Sequence, residues 1–162
     1  MPQHRARTHV LHPGDVVVAA RGETLETLLG SCVALILTDA RRSVAAMCHV
    51  VHTGSAGAQS GARDTTHGEV ALAAMRTQLR AIGIDAQRCE AYLAGGGNMF
   101  PDLFRADHVG AQNARWALDA VARLGLPLLA QDLGGNSYRR LRWTVGPEAP
   151  AIRAVEVTET ES

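Results

Sequence analysis

Aromatic residues are scarce in this chain: Phe, Trp and Tyr together make up 4% of its 162 residues. That excludes a core built on stacked rings and puts the apolar weight on Ala, Val and Leu. A surplus of either charge is missing as well. Sixteen basic residues balance sixteen acidic ones, so there is no basic excess to track a phosphate backbone, and nucleic acid is not an expected partner. No run approaches the ~18 apolar residues of a membrane span, and the opening MPQHRARTHVLHPGD has no apolar core segment. The chain is therefore expected in the cytoplasm, without direct insertion into a membrane. Cysteine is sparse and odd in number. Cys32, Cys48 and Cys89 suit free thiols in a reducing compartment better than a disulfide framework.

What is present has the pattern of one α/β domain. A chain of this length can bury roughly 68–70% of its unfolded surface without a staple. The domain is expected over residues 1–157, with an acidic, disordered tail at 158–162. After the turn signal Pro13-Gly14-Asp15, Val16–Ala20 reads as a strand, interrupted at Arg21-Gly22-Glu23. Val33–Leu37 and Val44–Val51 are apolar runs separated by Asp39-Ala40-Arg41-Arg42-Ser43, which predicts a hairpin. From Thr53 to Thr66 the aliphatic anchors vanish, as in a lid or a tether. Thr65 or Thr66 can cap a helix that carries Leu72, Met75, Leu79 and Ile82 and stops at Gly83. Further strands are expected over Glu90–Ala94, Pro127–Gln131, Tyr138–Val145 and Ala151–Val157. A second helix carries Asn113, Trp116, Ala117, Ala120, Val121 and Leu124, closed by Gly125.

The segment LLGSCVALIL sets Cys32 behind a Gly-Ser pair at the mouth of an apolar run. Three readings compete: buried filler, metal ligand and nucleophile. A free cysteine among aliphatic residues is more often an inert core side chain. For zinc, Cys32, Cys48, His49, His52 and His67 include the right ligand types. Their spacing fits no usual knuckle, however, and the strand neighbours Cys48 and His49 point to opposite faces; no metal is expected. The hairpin speaks for the nucleophile. A turn centred between Ala40 and Arg41 puts Cys32 directly opposite His49, with Cβ atoms about 4.5–5.5 Å apart. Such a pair can exist as thiolate and imidazolium near neutral pH, which makes a nucleophile for carbonyl carbon. Gly30 lets the backbone come close to a substrate, and N–H groups around Ser31 and Cys32 can receive an oxyanion.

These segments resemble the CheD family of chemoreceptor glutamine deamidases. LLGSCVALIL is similar to that family's nucleophile segment and AAMCHVV to its histidine segment, in the same order and at a matching separation. HGEVALAAM, AYLAGGGNMF, VGAQNARWAL and GLPLLAQDLGGNSYRRL resemble four further family segments, and the likeness runs from about residue 15 to 157. The chain departs from the family pattern at three points. Val50-Val51-His52-Thr53-Gly54 stands where a Leu-Pro pair is usual, Gln112 where an arginine is common, and His67 where a tyrosine is common.

The resemblance implies a layered α/β sandwich with a mixed, largely antiparallel sheet and a Cys-His site like that of papain-like and toxin deamidases. It implies Cys32 as nucleophile, His49 as general base and acid, and a threonine shortly upstream of the cysteine as the third catalytic residue: Thr27, or Thr24. It further implies hydrolysis of glutamine side-chain amides in the cytoplasmic helices of methyl-accepting chemotaxis receptors, without metal or organic cofactor. The substrate is expected against Gly30 and Ser31, and against a wall of Gly96, Gly97 and Asn98, with the Asn98 amide holding the carboxamide; the alternative is that these glycines simply make a tight turn. Arg139, Arg140 and Arg142 read as a solvated strand face, or as a face toward acidic receptor surface. Relatives also bind a CheC-type phosphatase, so a non-catalytic regulatory module is the competing function. A thiol peptidase or acyl transferase shares the first chemical steps.

Overall fold

The computed structural model describes residues 7–54 and 64–155. In chain order the strands are β1 (Thr8–Leu11), β2 (Val16–Ala20), β3 (Thr24–Leu29), β4 (Val33–Thr38) and β5 (Val44–Val50). Helix α1 (Gly68–Ala81) follows, then β6 (Glu90–Gly95), α2 (Val109–Leu124), β7 (Leu128–Leu133), β8 (Tyr138–Thr144) and β9 (Ala151–Val155). Two mixed sheets result. One has five strands in the order β2-β5-β4-β6-β7, the other four in the order β1-β3-β8-β9. Among the strands of the described residues only β1–β3 and β6–β7 pair in parallel, so the sheets are largely antiparallel.

The central strand β4 is buried at every position, because it is covered on both faces. Val33, Leu35 and Leu37 meet the helices, through Leu72, Met75 and Leu79 of α1 and Ala117, Ala120 and Val121 of α2. Ala34 and Ile36 face the four-stranded sheet, where Leu25, Leu29, Leu141 and Trp143 pack against them. The domain is thus a layered α/β sandwich: helices, sheet, sheet. Sparse aromatics find a use in the inner layer, where the Trp143 and Tyr92 rings stand edge to face at 5.5 Å.

Four expectations need correction. Strands β1 and β3 were not foreseen. The polar side chains Thr24, Glu26 and Thr27 mask β3 as an apolar run, yet Leu25, Thr27 and Leu29 share one buried face. The hairpin of β4 and β5 exists, but Ala34 rather than Cys32 stands opposite His49. The Asp39 carboxylate accepts the N–H groups of Ser43 (2.7 Å) and Val44 (3.1 Å), and Arg42 adopts φ 55°, which moves the turn one residue along. Helix α1 is capped by His67, whose Nδ1 accepts the Glu69 N–H at 3.2 Å, and not by a threonine. Finally, Arg139 is buried rather than part of a solvated face. The tail 158–162 and most of the Thr53–Thr66 loop lie outside the described residues.

Candidate active site

Cys32 lies where the chain changes sheets. β3 ends at Leu29 in the four-stranded sheet, β4 begins at Val33 in the five-stranded one, and Gly30-Ser31-Cys32 makes the crossing. Residues just beyond β6 hold this crossing from one side. The Gly96 N–H donates to Cys32 O at 2.8 Å and the Gly97 N–H to Gly30 O at 2.9 Å. Glycine is required here for approach as well as for conformation. Gly95 has φ 115°, and a Cβ on it would collide with the Cys32 carbonyl; a Cβ on Gly110 at the start of α2 would collide with the Gly97 carbonyl.

His49 and Thr27 meet across the two sheets. The Thr27 hydroxyl, on the inner face of β3, donates to the carbonyl of its ladder neighbour Leu11 at 2.8 Å. Its single proton being spent there, Thr27 Oγ1 accepts from His49 Nδ1 at 2.7 Å. This chain of bonds fixes the tautomer: the proton sits on Nδ1, and Nε2 carries a free lone pair. Both residues are buried, at 3% and 2% exposure. Thr24 lies three residues earlier, on the other face of the same strand, and pairs with the Thr144 hydroxyl at 2.9 Å.

Cys32 and His49 are not the directly opposed pair that was expected. Their register is offset by two residues, which leaves them on the same face, since only an odd slip turns a side chain over. They form a diagonal pair at the end of the ladder, a separation of roughly 7–8 Å in regular sheet. The electrostatics also differ from a thiolate–imidazolium pair. Burial pushes the Cys32 thiol above its ordinary value. Burial holds the His49 imidazole down at about 4, against the opposing pull of the Asp15 carboxylate. Burial thus disfavours the charged form of both groups, the thiolate and the imidazolium alike.

A cleft of about 590 Å³ opens beside the crossing, with Gly30, Ser31, Cys32, Gly97 and Asn98 on its lining. Met99, Phe100, Phe104 and Tyr138 supply its apolar wall. Gly96 is not on the lining; its N–H is spent on Cys32. Asn98 lines the cleft, but its carboxamide oxygen accepts the Phe100 N–H at 3.0 Å and its nitrogen donates to Phe104 O at 2.5 Å. It braces the turn that carries the apolar wall with one lone pair of its oxygen and one of its two N–H groups. Two buried residues that sequence reasoning missed support the same region. The Arg139 guanidinium bonds the Asp132 carboxylate and Gly95 O, each at 3.0 Å, and also Gly134 O. Asn113 of α2 reaches Ser31 O and Val51 O. Strand alternation with Leu141 and Trp143 was the available signal for Arg139; helical periodicity offered none for Asn113's partners.

A layered α/β domain with a thiol on the lining of a cleft and a buried, tautomer-fixed histidine on the same sheet face is the class that the geometry defines. Comparison with known proteins narrows it. Residues 52–148 match the CheD family of chemotactic sensory transduction, a stretch that begins just past His49. Curated relatives extend further. The chain is 36% identical over 135 residues to a probable chemoreceptor glutamine deamidase CheD of Pseudomonas fluorescens, covering 82% of this chain and 76% of the relative. It is 33% identical over 138 residues to a probable chemoreceptor glutamine deamidase CheD 2 of Albidiferax ferrireducens, covering 83% and 80%. It is 30% identical over 151 residues to the chemoreceptor glutamine deamidase CheD of Halalkalibacterium halodurans, covering 91% and 93%. The chain belongs to the CheD family.

Proposed function

We propose that this chain is a chemoreceptor glutamine deamidase that converts side-chain amides of particular receptor glutamines to glutamate and ammonia. The observation that carries the reading is the Leu11–Thr27–His49 hydrogen-bond chain beside Cys32, which leaves Nε2 of the histidine as a base. The relatives' names supply the substrate. As glutamine enters the cleft, His49 Nε2 takes the Cys32 proton while sulfur attacks Cδ and the carbonyl electrons move to oxygen. Peptide N–H groups at Ser31 and Cys32 receive that oxyanion. The imidazolium then protonates the departing nitrogen, ammonia leaves, and a thioester remains. Water, deprotonated by the neutral imidazole, attacks the thioester and releases glutamate, and the thiol regains its proton.

Receptor helices in the cytoplasm are the partners of this reading. Phe100 and Leu103, 62% and 75% exposed on the turn at the cleft, suit contact with a protein rather than with free glutamine. A regulatory module that binds a CheC-type phosphatase would need such a face too, but binding requires neither the thiol nor the fixed tautomer. The deciding experiment is peptide mass spectrometry of a receptor cytoplasmic fragment after incubation with wild type and with Cys32→Ala. Conversion of particular glutamines by wild type alone is expected. Conversion by both proteins ends the cysteine mechanism, and conversion by neither ends the deamidase reading.

A further inference from the structure

Asn113 sits on the inward face of α2 at 1% exposure, and its carboxamide nitrogen donates twice, to Ser31 O at 2.9 Å and to Val51 O at 3.0 Å. It ties the crossing that carries Cys32 to the end of the strand that carries His49. Two carbonyls on one side leave the amide a single sensible orientation. Its oxygen is then buried with no donor among the described residues, which costs stability. A residue kept for packing would not carry that cost; one kept for its two donors would.

The Ser31 carbonyl and the Cys32 N–H belong to one peptide unit. A trans peptide is planar, with its C=O and N–H pointing in opposite directions, and the described residues contain no cis bond. Because the carbonyl is turned inward to Asn113, the N–H is turned away from it, at a residue that lines the cleft. Neither the Ser31 nor the Cys32 N–H has a backbone partner among the described residues, whereas those of Gly96, Gly97 and Asn98 are all engaged. A hydrogen bond accepted at Ser31 O also polarises the shared peptide and strengthens its N–H as a donor.

We propose that Asn113 is a positioning residue for the oxyanion: by holding the Ser31 carbonyl it aims and polarises the Cys32 N–H that stabilises the tetrahedral intermediate. This rests on the deamidase reading and adds a residue to it. The test is steady-state deamidation of a receptor fragment by wild type, Asn113→Asp and Asn113→Ala across pH, with thermal melts alongside. A carboxylate cannot donate to a carbonyl, while the protonated acid can donate once. Asn113→Asp is therefore expected to lower kcat about tenfold or more at neutral pH, short of the ~10²–10³ for outright loss of a donor, with KM within about twofold. That deficit shrinks as the pH falls, and in Asn113→Ala it does not. Wild-type kcat in Asn113→Asp at all pH values overturns the proposal, and so does loss of the folded state in both variants, which makes Asn113 a brace of the fold alone. A wild type that deamidates no receptor fragment sinks the deamidase reading itself, a result distinct from an active wild type indifferent to Asn113.

Discussion

The two faces of the five-stranded sheet hold the same residue types in different settings. On the helix face, Cys48 is sealed among Leu35, Val50 and Met75, and burial pushes its thiol up to about 12. On the face toward the other sheet, the next residue of the same strand, His49, finds a hydroxyl, and Cys32 stands half-buried at the mouth of a cleft. Strand alternation alone separates them. On the proposed reading, what sets Cys32 apart is an opening in the layer and a base on the same face, since burial raises both thiols above their ordinary value.

Exchanging the two cysteines gives the widest contrast. Cys32→Ala is expected to lower deamidation of a receptor fragment by at least about 10³-fold with an unchanged melting temperature. Cys48→Ala is expected to keep its turnover and lose about 1 kcal/mol of stability to a small cavity. A Cys48→Ala protein that melts normally and has lost activity would break the comparison between the faces.

The threonines of β3 sharpen it on the opposite sheet. Thr27→Val keeps the shape but removes the acceptor for Nδ1–H, so the imidazole no longer prefers the tautomer with a basic Nε2. A mis-set tautomer in a Ser-His-Asp site costs ~10⁴; a lost neutral hydroxyl is a weaker perturbation, and a fall in kcat of roughly 10–100-fold is expected. Thr24→Val, on the other face and bonded to Thr144, is expected to leave kcat unchanged. Equal kcat values for the two variants, measured on one receptor fragment, would remove Thr27 from the mechanism.

Much of this was legible in the chain because the signals were local. Apolar runs gave β4 and β5, helical spacing gave α1 and α2, and Gly125 stops α2 in the left-handed conformation expected of it. The hairpin already paired Cys32 with His49, though with its turn one residue off, and the likeness to the CheD family added the choice between two threonines. What stayed hidden depends on long-range contacts. The turn centre was set by Asp39 side-chain bonds that apolar patterning does not register. The partner of Thr27 depends on two sheets stacking face to face, although Leu25 and Leu29 on the same parity already marked its side of β3. The environments of Cys32 and His49 follow from depth, and depth disfavours the charged form of both.

Depth also makes His49 a stability group, which yields the smallest expected effect. Its folded value of about 4 lies below the 6.5 of an ordinary histidine, so the unfolded chain binds the proton more readily than the folded one. Stability from the buried neutral imidazole is then fully present above about 6.5 and is lost as the pH falls toward 4. One such group removes about 1.5 kcal/mol between pH 6.5 and 5. Chemical denaturation of wild type and His49→Gln at both pH values isolates this term from the carboxylates common to both. The wild type is expected to lose more stability over that interval, by about that amount. An identical loss would mean that the imidazole is solvated in the folded protein, and Thr27 would then be holding a side chain that water could hold as well.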